Sequence, residues 1–202
     1  MHHQTNARKF RTLLAKIVCP SLLFATSVYS QQNPQPPINY QDFGACPFEC
    51  CTYRRWSVVA DTVFYKERSE NSGVAFRVKK GEHVIGLTGV VITLKPGKAI
   101  VKRATTIGIG KRKTHVKPGD ILYLLHYEGE GIYKIWFRGS IYENEMPTAP
   151  GLITDVPLKQ RQEFIQVSNE PDTVWWVKVK NNRGQIGWSK QNKNLGDMDA
   201  CG

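Results

Sequence analysis

The chain has 202 residues, with 28 Lys and Arg against 17 Asp and Glu, a formal net charge of +11 at pH 7. That length holds one domain of ordinary size or two small ones. No segment beyond the first thirty residues approaches a membrane-spanning length, which excludes further helical spans, and the basic balance favours anionic partners.

The chain opens with a basic patch, Arg8, Lys9 and Arg11, followed by a mostly apolar run from Leu13 to Val28. Small residues, Ser27 and Ser30, then lead into polar Gln31 and Gln32. A basic head, an apolar middle too short to span and a small-residue exit define residues 1–30 as a secretory signal peptide, with cleavage after Ser30. Cys19 lacks the small residues of a lipoprotein cleavage box before it. Loss of Arg8, Lys9, Arg11 and Lys16 leaves a charge of about +7. The expected location is therefore secreted or periplasmic. Residues 31–44 begin with Gln-Gln-Asn-Pro-Gln-Pro-Pro-Ile-Asn, and this proline- and glutamine-rich stretch is expected to be an extended linker before a β domain at 45–202.

Four cysteines survive cleavage: Cys46, Cys50, Cys51 and Cys201. An even number in an exported chain reads as two disulfides. A bridge between the neighbours Cys50 and Cys51 is strained, so Cys201 must reach back to the amino-terminal cluster. Two sets remain open: Cys46–Cys50 with Cys51–Cys201, or Cys46–Cys51 with Cys50–Cys201. Closing a loop of about 150 residues is worth about 4–5 kcal/mol in the chain-entropy model. Cys-Pro-Phe-Glu-Cys-Cys lacks two separated ligand pairs, so no metal site is expected.

From Arg55 onward the signals are β. Arg55–Ala60, Asp61–Tyr65, Val74–Val78, His83–Leu94 and Ala99–Ala104 are short branched or aromatic runs, separated by turns such as Lys79-Lys80-Gly81-Glu82 and Lys95-Pro96-Gly97-Lys98. Pro118-Gly119-Asp120 leads into Ile121–Tyr127, and a glycine turn leads into Ile132–Arg138 and then Ile141-Tyr142. Val174–Lys180, a turn over 181–184 and Gln185–Ser189 read as a hairpin. Residues 143–172 are rich in proline and read as a long insertion, with helical spacing over Leu158–Val167. The pattern predicts an all-β barrel or sandwich.

The last hairpin carries a resemblance. Trp176-Val177-Lys178-Val179-Lys180, a polar turn ending in Gly184, and Ile186-Gly187-Trp188 resemble the closing segment of bacterial SH3-like (SH3b) domains. Thr62-Val63-Phe64-Tyr65, the polar loop to Gly73, and Val78-Lys79-Lys80-Gly81-Glu82-His83-Val84 are similar to that family's opening strand, first loop and Lys-Gly turn. The opening strand lacks the family's Asn-Val-Arg-Ser-Gly-Pro run, and about 90 residues separate the matching halves. The resemblance covers about a third of the chain. It implies an SH3-like barrel with a large insertion, or two barrels at about 52–105 and 116–190, and a cell-envelope peptide or glycan as ligand.

No catalytic set assembles. His83, His115 and His126 lack a partnered nucleophile, no Gly-x-Ser-x-Gly elbow occurs, and Gly108-Ile109-Gly110-Lys111 is no phosphate loop. The expected protein is not an enzyme and needs no cofactor. Binding features are clearer. Strand alternation places Trp175, Val177 and Val179 on a core face and Trp176, Lys178 and Lys180 opposite, with Trp176 either partly exposed beside cations or packed under the long insertion. Tyr65, Trp176, Lys178 and Trp188 are the candidate ligand-binding residues, Trp188 either closing the barrel core or forming a rim with Tyr65. Lys111, Arg112, Lys113 and Lys117 form a basic loop that is either a solvated turn or a contact for polyanions. The expected partner is a cell-wall peptide or glycan, or an exported protein met through the basic loop. Nucleic acid is disfavoured.

Overall fold

A computed structural model describes Met1, residues 34–146 and residues 163–201. The expected leader, Met1 apart, and the centre of the 143–172 insertion lie outside the described residues. Alternating branched residues and glycine turns give fifteen strands among those described, broken only by two short 3-10 turns. The fold is all-β, with a curled half-barrel sheet, a long insertion and cysteines joined near the ends.

The first sheet draws on both ends of residues 32–202. It contains β1 (Tyr40–Phe43), β2 (Arg55–Val58), β3 (Thr62–Tyr65), β4 (Val74–Val78), β5 (His83–Lys95), β13 (Asp172–Lys180), β14 (Ile186–Ser189) and β15 (Leu195–Gly196). Its order is β15-β2-β5-β13-β14-β3-β4, and β1 adds to the far half of β5. The second sheet is built from the intervening sequence: β6 (Gly97–Val101), β9 (Ile121–Gly129), β10 (Ile132–Phe137), β11 (Ser140–Glu145) and β12 (Ile165–Asn169), in the order β11-β10-β9-β6-β12. Strands β7 (Thr105–Ile107) and β8 (Thr114–Val116) form a separate hairpin. The carboxy-terminal hairpin β13-β14 thus lies between β5 and β3 in the first sheet, and the second sheet is an insertion into it.

Each sheet buries its own apolar face. Trp56, Phe64, Phe76, Val91, Trp175 and Val177 centre the first core, with the Cys46 and Cys51 side chains packed against it. Ile107, Leu122, Leu124, Ile135, Phe137 and Met146 centre the second. The expected core face of β13 is confirmed in Trp175, Val177 and Val179. Glycines in the strands make room for rings: a Cβ on Gly86 would stand 2.6 Å from the Trp56 ring, and one on Gly187 would stand 2.9 Å from Phe64 Cβ.

Cys46 bridges Cys51 and Cys50 bridges Cys201, with Cα separations of 5.5 and 5.7 Å. The second bridge ties positions 151 residues apart. Three expectations are corrected. Tyr40–Phe43, placed in the linker, are a strand, because they take the edge of β5 at Val90–Thr93 that β13 does not occupy and β2, paired only at His83–Ile85, does not reach. Ile165–Val167, given helical spacing, pair with β6 and form the edge strand β12 of the second sheet. Trp176 is only 5 % exposed.

Candidate functional site

The strand registers bring three of the four candidate binding residues into one row. Tyr65 on β3 faces Trp188 on β14, and Trp188 faces Lys178 on β13, which faces Thr88 on β5. Because Gly187 and Ser189 point into the core, Trp188 between them stands on the outer face, half-buried. Trp188 is therefore the rim residue beside Tyr65, and the smaller Gly187 fills the core position.

Cations surround this ring. Lys178 Nζ lies 5.5 Å and Arg68 Cζ 5.6 Å from the Trp188 centroid, and Arg68 also stands 5.3 Å from the ring of Phe43. Such contacts are attractive through the ring quadrupole, by about 0.5–1 kcal/mol at exposed positions. Arg68 is placed by the loop between β3 and β4. Ser69 caps a 3-10 turn over Glu70–Ser72, Ser72 Oγ accepts from the Glu67 N–H at 3.0 Å, and Gly73 closes the turn at φ 85°. The guanidinium then donates to Gln41 Oε1 at 2.6 Å, joining the loop to β1. Phe43 is 68 % exposed and extends the aromatic surface.

Trp176 lies two residues from Lys178 on this face, opposite Val90. It is covered, with Lys190 Nζ 5.8 Å from its ring and Lys190 paired to Glu70 at 2.9 Å. At 5 % exposure it is not a contact surface. Phe43 and Arg68 are the site residues that sequence reasoning missed. Phe43 was hidden in the assumed linker, and Arg68 is drawn in only by the loop fold.

The basic residues Lys111, Arg112, Lys113 and Lys117 are all exposed, at and beside the tip of the β7-β8 hairpin. Arg112 rests over Tyr142, its Cζ 5.5 Å from the ring, beside a cleft of about 320 Å3 that also reaches Tyr40 and Lys134.

The three histidines stand apart. His83 is exposed beside a polar cleft of about 450 Å3 lined by Arg77, Glu82 and Asn181. His115 Nδ1 meets Thr106 Oγ1 at 2.9 Å. His126 is 1 % exposed, with Nε2 2.7 Å from Asp42 Oδ2 and Nδ1 2.9 Å from the Tyr127 carbonyl. Lys134 Nζ completes this cluster, 2.6 Å from Asp42 and 3.0 Å from Glu128. Burial raises the Asp42 pKa, but the hydrogen bonds from His126 and Lys134 outweigh it and hold the carboxyl below its usual range. Burial acts against the Lys134 charge, and its bonds to Asp42 and Glu128 win, so its pKa is raised. Asp42, His126 and Glu128 bring their ligating atoms within 4.8 Å of one another. An ammonium already meets their charge. This is a structural ion cluster joining β1 to the second sheet.

Comparison with protein-family models, curated proteins and solved structures finds no match. No helix among the described residues is long and apolar enough to cross a membrane.

Proposed function

We propose that this chain is an exported, non-catalytic binding module that takes a cell-envelope peptide or glycan on the face centred on Trp188. The observation that carries the reading is the cross-strand row Tyr65–Trp188–Lys178 with Arg68 over the same ring. A flat ring offers a stacking surface to a sugar or peptide plane, and the cations beside it meet carboxylates. The resemblance of Trp176–Trp188 to the closing hairpin of SH3b domains points the same way. The two disulfides fit an oxidising compartment, and the leader expected at 1–30 supports the same reading.

Retention on purified peptidoglycan at low salt tests it. The folded chain is expected to bind, and Trp188→Ala to weaken binding at least about tenfold, near 1.4 kcal/mol, with unchanged near-UV circular dichroism. A folded wild-type chain that washes straight through overturns the proposal.

A second reading rests on the exposed hairpin Lys111, Arg112 and Lys113 as the contact to a protein or an anionic surface. Replacing all three with Gln should then abolish association with anionic vesicles and leave the unfolding midpoint alone. Undiminished association rejects it.

A further inference from the structure

The second sheet carries an aromatic site on the face away from its core. Tyr123 on β9 and Trp136 on β10 are register partners there, flanked by Lys98 and Ile141 in the same row. The residues across this row belong to the chain's own Pro-Gln-Pro-Pro segment, residues 34–37. Trp136 Nε1 donates to the Pro34 carbonyl at 2.7 Å, and the Gln35 side-chain amide donates to the Tyr123 hydroxyl. Pro36 is buried, whereas Pro34, Gln35 and Pro37 stay exposed.

These are the elements by which an extended proline-rich peptide is read. Proline fixes φ near −65° and biases the residue before it towards extended backbone, so Pro34, Pro36 and Pro37 preset a polyproline-II shape with little entropy left to lose. An indole N–H reads a backbone carbonyl, an aromatic surface takes a proline ring, and a phenol reads the intervening side chain. None of residues 34–37 belongs to a strand. Beyond them Asn39 turns the chain at φ 51°, and β1 is held separately by its pairing with β5 and by the Asp42 cluster. The segment can therefore leave the groove while β1 stays in place.

We propose that the Tyr123–Trp136 groove is a binding site for extended proline-rich peptides, closed in the resting chain by its own residues 34–37. The cis segment acts as a tethered competitor. A short tether gives an effective concentration in the millimolar range. Against a peptide binding with a Kd of about 100 µM, that occupancy weakens the external ligand about tenfold.

The test uses the full chain and a variant carrying Pro34→Gly, Gln35→Ser, Pro36→Gly and Pro37→Ser. The synthetic peptide QQNPQPPIN is titrated into each, and the indole N–H resonance of Trp136 is followed. The variant is expected to bind and to shift that resonance, with the wild-type chain about tenfold weaker; Trp136→Phe in the variant should abolish binding. Concentration-dependent dimerisation of the wild-type chain with the same resonance shift also supports the site, since a second copy then supplies the segment. Should the four-residue change impair folding, Trp136→Phe in the otherwise intact chain replaces it. That single change should release residues 34–37, moving the Gln35 amide resonance to its random-coil position. A folded variant whose Trp136 resonance stays put at millimolar peptide overturns the proposal, as do equal affinities for the two chains or an unmoved Gln35 resonance.

Discussion

Asp42 shows how much one side chain decides. Placed on β1, it accepts from both His126 and Lys134, and Glu128 and Tyr40 complete the charged and titratable groups around it. Its folded pKa is held below the ordinary 3.8, so its stabilising share is complete above about pH 4 and is lost as pH falls through the folded value. Lys134 is raised above 10.5, so its share is complete at lower pH and is lost only as pH rises through that higher value. Neutral pH keeps both. Asp42→Asn leaves an amide oxygen but removes the negative charge opposite Lys134 and His126, and is expected to cost about 1–3 kcal/mol at pH 7, less at pH 3. Urea unfolding at the two pH values measures this, and an equal gap at both contradicts it. The cluster could not be read from the sequence: Asp42 and His126 lie 84 positions apart, and Asp42 looked like linker.

At the scale of the element, the strands follow from turn chemistry and alternation. The Pro118-Gly119-Asp120 turn forms as its residues dictate, with Gly119 at φ 89° and Asp120 Oδ2 accepting from the Lys117 N–H at 2.8 Å. Hairpin β13-β14 holds the register that sets Trp188 against Tyr65. Gly187 is the point on which this depends, because a methyl group there meets Phe64 and Phe76. Gly187→Ala is expected to destabilise the chain by about 1–3 kcal/mol through overpacking. It should also shift the Trp188 ring, so that peptidoglycan retention falls together with the thermal midpoint. A neutral midpoint would mean that the sheet yields at this position. Strands β1, β12 and β15 were not legible, since each is short and becomes a strand only by meeting a partner distant in sequence. The strands Thr105–Ile107 and Thr114–Val116 that flank the basic tip are three residues each, too short to carry an alternation.

On the scale of the whole molecule, one sheet is interrupted by another and the ends are tied. The segment 34–43 crosses from the outer face of the second sheet, at Tyr123 and Trp136, to pair with β5 of the first. The Cys50–Cys201 bridge closes the longer of the two disulfide loops among the described residues. Replacing both cysteines with serine is expected to cost about 2–5 kcal/mol, chiefly by freeing the unfolded chain. Chemical unfolding with and without this pair measures it, and an unchanged midpoint would show that the ends are held by β15 and the Arg54 contacts to Asp197 and Asp199.

The sequence by itself determined the all-β class, the positions of most strands and turns, and the staple between the CPFECC cluster and the tail. Those depend on alternation over a few residues, on glycine and proline dihedrals, and on cysteine parity. Only the tertiary structure decided that Cys50 rather than Cys51 reaches Cys201, that Trp176 is covered while Trp188 is rimmed by cations, and that a proline-rich stretch lies on Tyr123 and Trp136. Each of these is a contact between residues far apart in the chain, 102 positions in the case of Pro34 and Trp136, so short-range pattern carries no trace of it.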